Sequence, residues 1–269
     1  MSDRKFTRIL IVSDLGIGSE YSLAPDDITS SLVRRKPHLA SLHSVLRSEW
    51  DKMRNGLGNS VDILVVNGET VDGPQPAAKG KELWTADTNE QCQYAAELIG
   101  DISHKELYIT KGTPYHTETN TNLDQVVADM LGGWCDWELA LQVFDKRFHF
   151  AHSIGVSNSA WQYRTTSIAR ELVAALLQEK EYGKFDGIIR SHAHYFVEVS
   201  FGSQWGIVTP CWQGRTPYMI RKGLTLTPKL GYVTMDIYND GRIYRDWHLF
   251  NMPQMQTVTY VGGKTNARQ

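Results

Sequence analysis

The stretch Ile188-Ile189-Arg190-Ser191-His192-Ala193-His194-Tyr195-Phe196 closes an apolar, β-branched run with two histidines one residue apart. On extended backbone, residues i and i+2 point to the same side, so His192 and His194 are expected to address one locus. Neutral imidazoles converging at the end of a buried strand suit a transition metal such as zinc, manganese or iron. One such pair is a weak signal. It gains weight only where carboxylates and further histidines also fall at strand ends.

They do. Arg8-Ile9-Leu10-Ile11-Val12-Ser13-Asp14 is a short apolar run of the kind covered on both faces in an α/β sheet, and it ends in Asp14. Val61 to Val66 repeats the pattern and opens into Asn67-Gly68-Glu69-Thr70-Val71-Asp72-Gly73. Glu106 to Thr110 stops at Lys111-Gly112-Thr113-Pro114-Tyr115-His116, and Arg147 to His152 puts Phe148, Phe150 and His152 on one face. Asp14, Glu69, His116, His152, His192 and His194 thus follow strands, at the edge where open α/β sheets place their sites. Each has a plainer reading. Asp14 could cap a loop, Glu69 could pair with a basic side chain, His116 could be an exposed turn residue, and His152 a satisfied core histidine. Asp72 reads as a cap for the Gly73 turn, and His38 and His43 as surface or helix-face residues. Arg164, Arg190 and Arg215 lie near site loops and could pair with phosphate oxygens. Trp212 and Tyr218 read as packing residues, with base stacking as the alternative.

The elements that must hold these residues follow from periodicity. Helical spacing runs from His38 to Met53, from about Asn89 to Ile102, from Leu123 to Leu131 and from about Thr166 to Lys180, and Pro25 could start a short helix. Later strands are expected near 196–201, 205–209, 231–238 and 242–248, the last two joined by an Asn239-Asp240-Gly241 hairpin. A β-α-β-α-β-α half followed by a strand-rich half predicts an α/β fold of two packed sheets flanked by helices. No composition break marks a linker, so residues 1–252 are expected to form one domain, with 253–269 as a tail.

Composition limits the alternatives. The 269 residues are 41% hydrophobic and 22% charged, with a net charge of −2. That balance argues against a highly basic nucleic-acid coat. Three cysteines at wide spacing fit reduced thiols better than a disulfide framework or a local zinc module. No signal-peptide region or membrane-length apolar run is present, so a cytoplasmic protein without a membrane partner is expected.

In this order the strand-end residues resemble the calcineurin-like metallophosphoesterase family. Its motifs are Asp-x-His, Gly-Asp-x-x-Asp, Gly-Asn-His-Asp/Glu, a lone His and Gly-His-x-His. Here they stand as Asp14-Leu15-Gly16, Gly68-Glu69-Thr70-Val71-Asp72, Gly112-Thr113-Pro114-Tyr115-His116, His152 and Ser191-His192-Ala193-His194, over roughly residues 8–215. The match looks closest to a branch often encoded in phages, which continues the second motif as Asp-Gly-Pro-Gln-Pro (Asp72 to Pro76) and has Gly-Thr-x-x-His as the third.

The resemblance implies a four-layer α-β-β-α sandwich and a metal-dependent phosphoesterase. Its substrate would be a phosphodiester or phosphomonoester of a nucleotide or nucleic acid, attacked by metal-activated hydroxide. One or two divalent ions (Mn, Zn or Fe) are implied. Asp14 and His194 would hold one ion, His152 and His192 the other, and Glu69 would bridge. His116 would orient the reacting phosphate. Three departures stand out: Gly16 carries no ligand atom, Glu69 is one methylene longer than the usual Asp, and Thr113 replaces an Asn. They keep open a degenerate member of the fold that binds without hydrolysing. A single structural zinc is a weaker third reading, because the ligands come from distant strand ends. Oligomeric state is left open.

Overall fold

Along the first strand, Ile9 and Ile11 face one way and Leu10 and Val12 the other, and all four are fully buried. A strand with two apolar faces needs cover on both. The cover on each side defines the architecture of this computed structural model, which describes residues 6–118, 120–155, 163–223 and 227–253. All but the first residue of the expected tail lies outside them.

The elements in chain order are β1 (Phe6–Val12), α1 (Asp26–Arg35), α2 (Ala40–Leu57), β2 (Ile63–Val66), α3 (Thr88–Gly100), β3 (Glu106–Thr110), α4 (Leu123–Leu131), β4 (Trp134–Asp136), β5 (Glu138–Val143) and β6 (Lys146–Ala151). They continue with α5 (Arg164–Leu177), α6 (Glu179–Tyr182), β7 (Gly187–Arg190), β8 (Val197–Phe201), β9 (Gln204–Val208), α7 (Pro217–Arg221), β10 (Leu230–Tyr238) and β11 (Ile243–Phe250). One sheet runs β11-β10-β1-β2-β3-β4 and the other β5-β6-β7-β9-β8. Both are mixed: β1, β2, β3 and β4 pair in parallel, as do β6, β7 and β9, with antiparallel strands at the flanks.

Period-2 alternation builds the layers. Ile9, Ile11 and Val65 of the first sheet meet Phe148, Phe150, Ile189 and Ile207 of the second in one buried cluster. Leu10, Val12, Leu64 and Val66 face the opposite way, onto Leu46, Trp50 and Met53 of α2 and Ala95 and Ile99 of α3. On the far side, Ile188 and Val208 pack against Ile168 and Leu172 of α5. The result is the expected α/β arrangement of two mixed sheets flanked by helices.

Some details differ from the sequence reading. The hairpin β5–β6 was not among the expected pairs, although Leu139, Leu141 and Val143 alternate inward along β5. Its two-residue turn puts Phe144 in the left-handed region (φ 54°), where a Gly or Asn would have signalled it. Of the two expectations for His43, the helix face holds and the surface does not: it lies on α2 and is buried, its Nε2 3.1 Å from the Glu20 carbonyl. No helix among the described residues is long and apolar enough to cross a membrane.

Phe150 is fully buried between the sheets. Phe150→Ala is expected to cost about 3–5 kcal/mol in unfolding free energy, read from urea melts. A loss below about 1 kcal/mol would show that the two sheets do not share this core.

Candidate metal centre

The carboxyl ends of β1, β2, β3, β6, β7 and β9 lie along one edge of the sandwich, and the loops leaving them meet there. Asp14, two residues past β1, is tied to the loop after β2 by its amide, which donates to the Gly68 carbonyl at 3.1 Å. The Gly16 amide donates to the Glu69 carbonyl at 3.0 Å, and the Trp212 amide donates to the Asp14 carbonyl at 3.1 Å. These bonds place the backbones of three loops side by side.

The six residues singled out from sequence come together. Asp14, Glu69 and His194 each bring a ligand atom within 4.8 Å of the others, and so do Glu69, His152 and His192. Glu69 belongs to both groups. His152 Nε2 lies 3.0 Å from Glu69 Oε1 and 3.9 Å from Asp14 Oδ1, and His192 Nδ1 lies 3.5 Å from Glu69 Oε1. His194 Nε2 is 3.4 Å from Asp14 Oδ1, and His116 Nε2 is 3.5 Å from Glu69 Oε2.

The route by which the histidine pair arrives differs from the extended-strand expectation. Strand β7 ends at Arg190, and His192 and His194 both take left-handed backbone, with φ of 68° and 54°. Asp14 and Glu69 are left-handed too, at 51° and 56°. Such residues cost of order 1–3 kcal/mol each and persist only where the surroundings over-determine them. Here the turns send the two imidazoles to different carboxylates.

Further residues fix the ligand candidates. The Asn67 carbonyl sits 2.8 Å from His152 Nδ1, so that nitrogen donates to it and Nε2 is the atom turned toward the carboxylates. Gly68 makes the contact possible, since a Cβ there would lie 2.4 Å from His152 Nδ1. Thr113 donates to Glu69 Oε1 at 2.8 Å and so holds the lengthened acid. Asp124, on the first turn of α4, accepts from the Thr70 amide (2.9 Å) and the Gly112 amide (2.7 Å), locking the second motif loop to the third. Sequence reading missed Asp124 because an acid in a first helical turn looks like ordinary dipole compensation.

Asp72 is not the cap of the Gly73 turn. Gln91 fills that role, accepting from the Gly73 amide at 2.8 Å, which leaves the Asp72 carboxylate for His116 Nδ1 (3.1 Å) and Gln75 Nε2 (2.5 Å). Arg190 is also reassigned: it is buried, pairs with Glu171 of α5 at 2.5 Å and does not line the cavity beside the histidines. Trp212 packs edge-on against Trp50 in the core, whereas Tyr218 stacks on Tyr115 at 5.7 Å in a cavity of about 550 Å³. Glu69, His116, His192, His194 and Arg164 line the same cavity.

Gly16 has φ +54°, and a Cβ there would stand 2.7 Å from Gln213 Nε2. The space that a longer residue would need is filled by the Gln213 side chain, so a histidine has no room without displacing it.

Electrostatics supports cation binding. Burial works against the Glu69 carboxylate, yet His116 and His152 hold it well below the usual carboxylate range. Burial likewise opposes protonation of His152 and His116, but Glu69 outweighs it, with Asp14 aiding His152 and Asp72 aiding His116. They are pushed up to about 9 and about 10. For His194, burial is overcome by Cys211 and Asp14, and its pKa lies well above the ordinary value. Four buried atoms, Asp14 Oδ1, His152 Nε2, His192 Nδ1 and His194 Nδ1, have no aligned hydrogen-bond partner among the described residues. Unsatisfied buried donors and acceptors are costly. Two carboxylates and three converging imidazoles are a donor set that a divalent ion satisfies once the imidazoles are neutral.

No family model matches the chain, and no curated protein matches it. Among solved structures, wild-type Vps29 from Entamoeba histolytica complexed with zinc aligns at 12% identity and a TM-score of 0.45, covering 91% of this chain and 100% of its own. Vps29 from Chaetomium thermophilum gives 11% and 0.46, over 92% and 100% of the two chains. An archaeal phosphodiesterase gives 12% and 0.43, over 90% and 100%. The structural neighbours are thus Vps29 proteins and phosphoesterases. Identities and scores this low transfer no residue's role to this chain.

Ligation needs a neutral imidazole, and His152 holds its proton up to about pH 9 in the metal-free protein. Affinity for Mn²⁺ or Zn²⁺ is therefore expected to rise between pH 6 and 9, with net proton release on binding. The metal-free fold runs the other way. The stabilisation by charged His152 is complete below the unfolded value of about 6.5 and is lost as pH rises through about 9. Calorimetry in two buffers of different ionisation enthalpy reads the proton count. A count of zero would contradict the geometry.

Proposed function

We propose that the chain is a metal-dependent phosphoesterase of the calcineurin-like type, hydrolysing a phosphomonoester or phosphodiester of a nucleotide or nucleic acid. One observation supports this above the others: Glu69 is shared between two overlapping ligand groups, Asp14 and His194 on one side and His152 and His192 on the other. A shared carboxylate is what a pair of ions about 3.5–4 Å apart requires. Such ions, when bound, supply Lewis-acid stabilisation of the phosphate and an activated water.

The chain's own residues do the rest. Asp14, Glu69 and the three histidines set the positions of the ligand atoms, with Asn67 and Thr113 orienting His152 and Glu69. His116 lines the cavity with Nδ1 held by Asp72 and Nε2 toward the centre. Its raised pKa keeps it protonated in the metal-free protein at neutral pH, so it can offer an N–H to a phosphate oxygen or leaving group. Arg164 lines the same cavity and adds a second cationic donor to a bound phosphate.

The second reading, a binding protein of the same fold without turnover, is favoured by Gly16 and by Gln213 occupying the space beside it. Elemental analysis of protein purified without chelator, together with Mn²⁺-dependent hydrolysis of a bis-aryl phosphodiester, separates the two. Activity is expected, and Asp14→Ala and His194→Ala should each lower it at least about 100-fold. Bound metal without turnover would favour the binding protein. Full activity in both variants would remove this centre from the reaction.

A further inference from the structure

We propose that Gln213 is a further ligand of the metal centre, giving its side-chain amide oxygen to a divalent ion held by Asp14 and His194. This rests on the reading of that edge as a metal centre and adds to it a residue that is neither a carboxylate nor an imidazole.

The backbone on each side of Gln213 is tied down. The Trp212 amide donates to the Asp14 carbonyl at 3.1 Å, and the Gly214 amide donates to the Tyr21 carbonyl at 2.7 Å. The Gln213 carbonyl accepts from Cys211 Sγ at 3.4 Å. The side chain then runs against Gly16, where a Cβ would stand 2.7 Å from its Nε2 and 3.1 Å from its Cδ. Gly16 in turn donates its own amide to the Glu69 carbonyl at 3.0 Å. The Gln213 side chain thus lies against the loop that carries Asp14, at the residue where that loop is bonded to Glu69.

No other group engages the amide. Gln213 is 6% exposed and lines the cavity together with Glu69, His192 and His194. Its side chain makes no hydrogen bond among the described residues, yet neither amide atom is sealed from solvent. A nearly buried amide left without a partner is costly, and the cavity beside the histidines is the space from which one can come. Nothing fixes which end of the amide faces that space, so Oε1 is free to turn toward it. Amide oxygens are ordinary ligands of oxygen-preferring divalent ions. Asp14, Glu69 and His194 bring three donors to this position, two of them carboxylates. Gln213 adds a fourth that is neutral, so it brings no further repulsion between anions and no proton to release.

Calorimetric titration of Mn²⁺ into the full chain at one fixed pH tests this. Gln213→Leu is expected to weaken Mn²⁺ binding at one position about tenfold or more. Gln213→Glu keeps an oxygen in that place and adds a charge, so it should bind at least as tightly as the wild type. A role in packing alone predicts the reverse, since a buried carboxylate would disturb the loops more than Leu does. Affinities within about twofold of the wild type in Gln213→Leu overturn the proposal, and so does a Gln213→Glu that binds as weakly as Gln213→Leu. If Gln213→Leu fails to fold, Gln213→Glu decides, and binding weaker than the wild type overturns the proposal. Asp14→Ala separates the proposal from the reading beneath it. Binding weakened in Asp14→Ala but unchanged in Gln213→Leu sinks Gln213 alone. No Mn²⁺ binding by the wild type, or binding indifferent to Asp14→Ala, sinks the centre and the proposal together.

Discussion

The structure depends on a buried chain of polar side chains that joins the carboxyl ends of the two sheets. Thr110 of β3 donates to Asn67 Oδ1 at 2.9 Å, and Asn67 Nδ2 donates to Ser191 Oγ at 2.6 Å. Ser191 Oγ meets Thr209 Oγ1 at 2.7 Å, and Thr209 Oγ1 meets Ser13 Oγ at 2.8 Å. Loops from both sheets are thereby held in one register, in a place where the surrounding layers are apolar. A buried network of this kind is stabilising only when its members are satisfied, and then it specifies one arrangement. Asn67 spends its remaining groups on the site: its carbonyl holds His152 and its amide also reaches the Ala151 carbonyl.

From that register follow strain and charge. Four of the five ligand candidates adopt left-handed backbone, and none of the four is a glycine. Local preference alone would relax these turns, so the fold's core and the polar chain must offset them. What is gained is convergence: two carboxylates and three imidazoles at one edge. In the metal-free protein His152 holds a proton against the Glu69 carboxylate instead, which is why burial fails to neutralise either of them. The same balance links metal uptake to proton release and stability to pH.

Much of this was legible in the sequence. The buried strands announce themselves as β-branched runs, and the histidines and acids fall at their ends, so the layering and the set of converging residues could both be read. What could not be read depends on contacts between distant segments. The hairpin turn at Phe144 carries no glycine or asparagine signal. Asp124 and Gln91 look like unremarkable helix residues until the loops they hold are in place. Arg190 sits beside the histidine pair in sequence yet points to Glu171, because side chains alternate across β7. Gly16 looked like a simple loss, and only the fold shows Gln213 lying in the space beside it.

On the proposed function, Glu69 links two ion positions rather than serving one. Electron paramagnetic resonance of the chain loaded with Mn²⁺ tests it most directly, because two ions sharing a carboxylate are magnetically coupled. A spin-coupled pair signal is expected at two equivalents, lost in Glu69→Gln. An uncoupled single-ion signal at full loading, unchanged by that substitution, would contradict it.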